Sequence, residues 1–242
     1  MKRTREWLKC FVLFIIPNIL FSQEIDEKPD YRKVFGEDYE SAWQTIQKNS
    51  WWSDSLEDHG IKPHMALSVI FPELIRYSSI SDYIEVKALE VLYVQYGRDY
   101  ADFSVGLFQM KPSFAERIEA DLLRYRLADS FPSLSSLKPD TINDLQVRKA
   151  RILRLKDENG QLLYLEAFLR IMDYLCMDVA FESDADRLGV YARAYNEGYK
   201  KGDQVVRWSG GQGYFYVGMI PPEKKYNYAE IAVEYYLEAG SF

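Results

Sequence analysis

The segment "QLLYLEAFLRIMDYLCMDVAFE" (161–182) is the longest apolar stretch with helical spacing in the chain. Such a stretch fits a helix buried at the centre of a helical domain and little else. The flanking sequence repeats that period. "EDYESAWQTIQKN" (37–49) spaces Tyr39, Trp43 and Ile46 by four and three, and "PHMALSVIFPELIRYS" (63–78) opens on Pro63, a favoured first helical residue. "SDYIEVKALEVLYVQYG" (81–97) closes on Gly97, and "KPSFAERIEADLLRYRLA" starts at Pro112. Pro72 lies inside the 63–78 run, so that helix is predicted to end or kink near Phe71. "VRKARILRLKDENG" (147–160) is read as a helix stopping at Gly160, "DADRLGVYARAYNEGY" as helical, "SGGQGYFYVG" (209–218) as a short hairpin or loop, and "NYAEIAVEYYLEAG" as a last helix. The expected fold is mainly α with at most a small β-hairpin.

The chain opens "MKRTREWLKC" followed by "FVLFIIPNILFS", a basic region leading into an apolar core too short to span a bilayer comfortably. Residues 1–22 are therefore expected to be a signal peptide. Residues 23–36 read as a charged arm or linker, and 37–242 as a single helical domain with no membrane span after cleavage of the leader. Cys10 falls in the leader, which leaves Cys176 as a buried apolar residue and offers no disulfide framework.

Formal net charge is -7 and the leader is itself basic, so an exported chain would be more acidic still, and attraction to nucleic acid is not expected. With His59 and His64 as the only histidines, no zinc-ligand spacing and no serine or cysteine triad can be assembled, and "SGGQG" lacks the Lys-Ser/Thr of a phosphate loop. No metal or cofactor is expected. Carboxylate chemistry remains. Glu73 follows Pro72 near the C-terminal end of an apolar helix, where lost hydration and the negative end of the helix dipole both favour the protonated form. The same spacing also fits a solvent-facing residue after a kink, and Glu85, Glu90 and Asp99 stay open as alternatives. Trp51, Trp52 and Trp208 are candidate sugar-stacking platforms or surface-covering aromatics, and Phe108 and Met110 are assigned to the core.

"GLFQMKPSFA" (106–115) resembles the Gly-Leu-Met-Gln-x-x-Pro-x-x-Ala signature of lytic transglycosylases with lysozyme-like fold, with Phe108 at the Met position. "AYNEG" (194–198) is similar to their Ala-Tyr-Asn-Ala-Gly segment, with Glu197 at the second alanine. Glu73 stands upstream of both, where that family carries its catalytic glutamate. The resemblance runs from about Pro63 to Tyr228. It implies a periplasmic or envelope enzyme acting on peptidoglycan glycan strands, with Glu73 as the single general acid and base and with release of 1,6-anhydromuramic ends. It also implies a cleft lined by Gln109, Tyr195 and Asn196, substrate approach over Gly106, a turn at Gly198, and Tyr226 or Tyr228 hydrogen-bonded to the acid. A monomer is expected, and a partner in an envelope machine is left open. The competing expectations are lysozyme-type hydrolysis, with Asp102 or Glu197 as second acid, and a non-catalytic peptidoglycan-binding or envelope scaffold.

Overall fold

The computed structural model describes residues 29–78, 83–139, 141–199, 214–215 and 226–240. The expected signal peptide and Trp208 lie outside them, as do residues 23–28 of the expected arm. The described residues form a mainly α-helical fold. In chain order the helices are α1 (Tyr31–Phe35), α2 (Glu37–Lys48), α3 (Trp51–Asp58), α4 (Pro63–Ser78), α5 (Tyr83–Tyr96), α6 (Pro112–Arg124), α7 (Leu127–Ser130), α8 (Asp144–Lys156), α9 (Glu158–Leu175), α10 (Asp184–Glu197) and α11 (Tyr228–Ala239). A 3-10 turn spans Pro132–Leu137, and the strands β1 (Tyr214–Phe215) and β2 (Tyr226–Asn227) pair antiparallel. None of the described helices is long and apolar enough to cross a membrane.

Two helices organise the packing. Every residue of α4 from Met65 to Ile75 is buried, because α2, α3, α9, α10 and α11 surround it. A helix enclosed on all sides has no solvent face on which to place a polar residue, which is why its sequence is apolar with few exceptions. The second is α9, whose residues from Gly160 to Leu169 are all buried except the half-buried Leu163 and which meets α3, α6, α8 and the 3-10 turn.

Several boundaries differ from the sequence expectation, each for a local reason. α4 continues through Pro72 to Ser78 rather than ending at Phe71. Proline supplies no N–H to the Ser68 carbonyl and crowds the turn before it. The neighbouring carbonyl, Val69 O, accepts a hydrogen bond from the Tyr228 hydroxyl at 3.0 Å, so a side chain from α11 supports the backbone beside the proline. Gly160 does not stop a helix but lies in the first turn of α9. α8 already ends at Lys156, and Asp157 caps α9 by accepting from Gly160 N at 3.0 Å. A Cβ on Gly160 would stand 2.2 Å from Arg154 O, so the close passage of the two helices excludes a side chain there. α9 accordingly covers Glu158–Leu175 rather than 161–182.

The expected extended arm is, from Tyr31 on, the helix α1. Tyr31 is 1% exposed in the main core, and its hydroxyl donates to Glu230 Oε2 of α11 at 2.8 Å. Trp52, considered as a sugar platform, is fully buried. Its indole donates to Glu158 Oε2 at 3.1 Å and its ring packs edge-on against Phe108. Trp51 remains at the surface. Cys176 is buried, and burial pushes its thiol up to about 11.

A buried ionic network ties α6 to α8. Arg151 donates to both oxygens of Glu119, and the Tyr164 hydroxyl donates to Glu119 as well. Arg151 also reaches the Tyr93 hydroxyl, which donates to Glu116 at 2.9 Å. Removing one member of such a pair strands the other charge away from water. Glu119→Ala is therefore expected to lower unfolding free energy by about 3–5 kcal/mol, measured by urea denaturation. A loss below about 1 kcal/mol, the range of exposed pairs, would show that this network does not anchor α6.

Candidate active site

The turn between α5 and α6 is built to hold an unusual backbone. Val105 and Met110 bridge each other through two backbone hydrogen bonds of 2.9 and 3.2 Å, closing residues 106–109 into a tight reversal. Two residues inside it have positive φ: Gly106 at 71° and Gln109 at 50°. Glycine accepts this freely, whereas glutamine does so at a cost of order 1 kcal/mol. The Gln109 side chain compensates by donating from Nε2 to Gly106 O at 2.8 Å. The apex is pinned from both sides. Phe108 N donates to Gln161 Oε1 at 2.8 Å, and Phe108 O accepts from the Tyr195 hydroxyl at 2.7 Å.

Gly106 is thus needed for a close approach, but the approaching group is a protein side chain. A Cβ there would lie 2.5–2.6 Å from the Gln161 amide. The expectation that Gly106 makes room for substrate is corrected on this point.

A polar cavity of about 360 Å³ lies beside the turn, lined by Glu73, Arg76, Ser104, Gln109, Met110, Lys111, Phe114, Tyr195, Asn196 and Glu197. That volume falls within the ordinary range for small-molecule sites. Four residues singled out from the sequence, Glu73, Gln109, Tyr195 and Asn196, are brought together here. Glu73 and Gln109 come from distant parts of the chain and share one wall-to-wall space.

Glu73 is 3% exposed and its carboxylate pairs with Arg76 one turn on in α4 at 3.0 Å. Burial pushes its carboxyl up to about 7, against the opposing influence of the Arg76 charge, a hydrogen bond with Tyr228 and the Lys111 charge. Desolvation therefore outweighs two nearby cations, and a group of this kind can give and take a proton near neutral pH. Tyr195 and Tyr228 flank it. Both hydroxyls are held well above their usual range, first by burial and then by the Glu73 charge. Tyr228 has one proton to donate. When that proton is on Val69 O, the hydroxyl presents a lone pair to the acid form of Glu73, and turned the other way it stabilises the carboxylate.

The remaining candidates have other roles. Tyr226 lies in β2, packs edge-on against Phe35 at 4.9 Å and is outside the cavity lining. Asp102 accepts from Ser113 N and Oγ at 3.0 and 2.8 Å, satisfying the first turn of α6, and does not line the cavity. Glu90 forms an ion pair with Lys156 on the α5–α8 surface, Asp99 sits in an exposed turn, and the Glu85 side chain lies outside the described residues. Glu197 does line the cavity, paired with Arg193 at 3.3 Å. Phe108 is a core residue as expected, at 0% exposed, whereas Met110, buried at 1% exposed, also lines the cavity. Sequence reasoning missed Arg76, Lys111, Ser104 and Phe114. Arg76 was findable as the cation three residues after Glu73 on a helix, a spacing that puts the two side chains together.

Among the described residues no group of three His, Cys, Asp or Glu is placed to hold a metal ion. Comparison of the chain with models of known protein families, with curated proteins and with solved structures finds no match in any of the three.

The raised pKa of Glu73 has a consequence for stability. The native state holds a proton between about pH 4.5 and 7 that the unfolded chain releases. The stability cost of this residue is absent below that window and grows as pH rises through it. Glu73→Gln should therefore be more stable than the wild type above pH 7, by up to about 3 kcal/mol, with the gap closing below pH 4.5. Thermal melts of both proteins across this range check it, and parallel curves would overturn the protonation assignment.

Proposed function

We propose that the protein is an exported lytic transglycosylase of lysozyme-like fold that cleaves peptidoglycan glycan strands. The observation that carries this reading is a single buried carboxyl, Glu73, with a pKa pushed up to about 7, opening onto the same cavity as Gln109, Tyr195 and Asn196. The mainly helical architecture and the order of the motifs along the chain agree with the resemblance of "GLFQMKPSFA" and "AYNEG".

In this mechanism Glu73 in its acid form protonates the glycosidic oxygen between N-acetylmuramic acid and N-acetylglucosamine. The C1–O bond breaks, and the Glu73 carboxylate takes the proton from the C6 hydroxyl of the muramic residue as that oxygen bonds to C1. The products are a 1,6-anhydromuramic end and a free 4-hydroxyl, with the acid regenerated. One carboxyl suffices because the nucleophile belongs to the substrate. The Tyr228 hydroxyl steadies the carboxylate between the two proton transfers. The amides of Gln109 and Asn196 are suited to hold acetamido groups.

Incubation of peptidoglycan with the purified protein should yield fragments with 1,6-anhydromuramic ends by mass spectrometry, and Glu73→Gln should reduce the rate by at least about a thousandfold. Equal activity of the two proteins removes Glu73 as the acid. Absence of products from both, with Glu73→Gln folded, favours a peptidoglycan-binding scaffold.

Glu197 favours a second reading, hydrolysis, because it supplies a second carboxylate on the same cavity. If water is activated there, the products carry reducing ends and Glu197→Ala abolishes them. If the transglycosylase mechanism holds, Glu197→Ala leaves the anhydro products in place.

A further inference from the structure

Two cations face the Glu73 carboxyl from different elements: Arg76 from α4 and Lys111 from the segment entering α6. Both line the cavity. Arg76 is engaged by Glu73 at 3.0 Å, whereas Lys111 is exposed, and among the described residues no carboxylate forms an ion pair with it. The other acid of the cavity, Glu197, is engaged by Arg193. Among the described residues the other polar groups around Glu73 are the Tyr195 and Tyr228 hydroxyls, the Gln109 and Asn196 amides and Ser104, all uncharged at neutral pH. The charge balance therefore changes with the state of Glu73. When Glu73 takes up the proton it needs in order to act as an acid, its attraction for Arg76 falls from that of an ion pair to that of a neutral hydrogen bond. Arg76 is then held less tightly by Glu73, and it lines the cavity together with Lys111 in a chain whose net charge is -7.

We infer that Arg76 and Lys111 form a subsite for a carboxylate carried directly on the sugar bound beside Glu73, so that the cleft selects glycan whose muramic carboxyl is free of a stem peptide. The inference rests on the glycan-cleaving reading of the cavity and adds a substrate class to it. Arg76 suits the role because its guanidinium is planar and can pass from one carboxylate to another. Lys111 suits it as a mobile point charge at the rim. The exchange also couples binding to catalysis. A substrate carboxylate that takes Arg76 away from Glu73 removes the nearer of the two charges favouring the Glu73 carboxylate, so substrate binding and protonation of the acid promote each other. A sugar whose carboxyl is amide-linked to a peptide loses the charge that makes this exchange.

The test uses three small probes on the purified full chain, read by NMR titration: N-acetylmuramic acid, its methyl amide and N-acetylglucosamine. The acid is expected to bind roughly tenfold tighter than the amide, the difference of one charge-assisted contact. Lys111→Met should erase most of that preference while leaving affinity for the amide unchanged. Lys111 is exposed at the N-cap of α6 and its side chain makes no capping bond, so the variant tests charge rather than folding. Equal binding of acid and amide to the wild type overturns the carboxylate subsite and leaves the glycan reading standing. A preference that survives in Lys111→Met removes Lys111 from the subsite. If none of the three sugars binds, the subsite and the glycan-binding reading fall together.

Discussion

A carboxyl group buried in the most enclosed helix of the molecule is the constraint around which the rest is arranged. α4 is covered on all sides by α2, α3, α9, α10 and α11. Placing Glu73 there costs solvation energy that the wild-type chain recovers only in part through Arg76, Tyr228 and Lys111. The residue before it adds a second cost, since Pro72 leaves a backbone carbonyl without its helical partner. A single hydroxyl lies beside both. The Tyr228 hydroxyl reaches Val69 O on one side and the Glu73 carboxyl on the other. This makes the position of α11, the last helix of the chain, a requirement of the site: Tyr228 is its first residue, placed by the Asn227 cap that accepts from Ala229 and Glu230 N.

The opposite wall is held just as firmly, by a different means. A turn with two positive-φ residues is costly in isolation, so its polar groups must find partners within the protein. Gln161 from α9 and Tyr195 from α10 satisfy the amide and carbonyl of Phe108, while Trp52 from α3 seats its ring. Three helices thus fix one residue, and fixing Phe108 fixes Gln109 beside it. Below the turn, α6 is anchored through Glu119 to Arg151 and Tyr164. Nothing in this wall depends on an occupant of the cavity for its hydrogen bonds, which is the condition for a site whose geometry precedes binding.

The sequence showed the helices well and their ends less well. Periodicity located α2, α5, α6, α10 and α11 to within a few residues, because a helix that buries one face must repeat apolar residues at 3.6. Pro72 misled because propensity is local, whereas α4 is enclosed by helices from distant parts of the chain. Gly160 misled for a related reason: it answers a helix crossing rather than a helix end. Within the site, Glu73, Gln109, Tyr195 and Asn196 were legible from the motifs, and the cavity unites them. Lys111 was not, since a lysine before a proline at a helix start has an ordinary surface explanation. The roles of Gly106 and Asp102 were also beyond reach. Each depends on a partner, Gln161 or Ser113, that spacing alone does not bring near.

Several of the positions where local rules are broken lie together in space. A proline inside a helix, an acid at 3% exposure, a glutamine at positive φ and a tyrosine hydroxyl shared between a carbonyl and a carboxyl all border the same cavity or support its wall. Elsewhere in the described residues Asp30, Asn143, Asp157, Ser183 and Asn227 cap their helices as such residues should, while Arg126 at φ 57° and the buried acids Glu119 and Glu166 carry local costs away from the cavity. A protein under selection for stability alone would replace the buried acid with a neutral side chain and the proline with alanine, since either change relieves a cost without opening a void. Among these costs Glu73 stands apart because its carboxyl is pushed up to about 7 by burial while it opens onto a polar cavity, and this is the physical ground on which the proposed proton-transfer role rests.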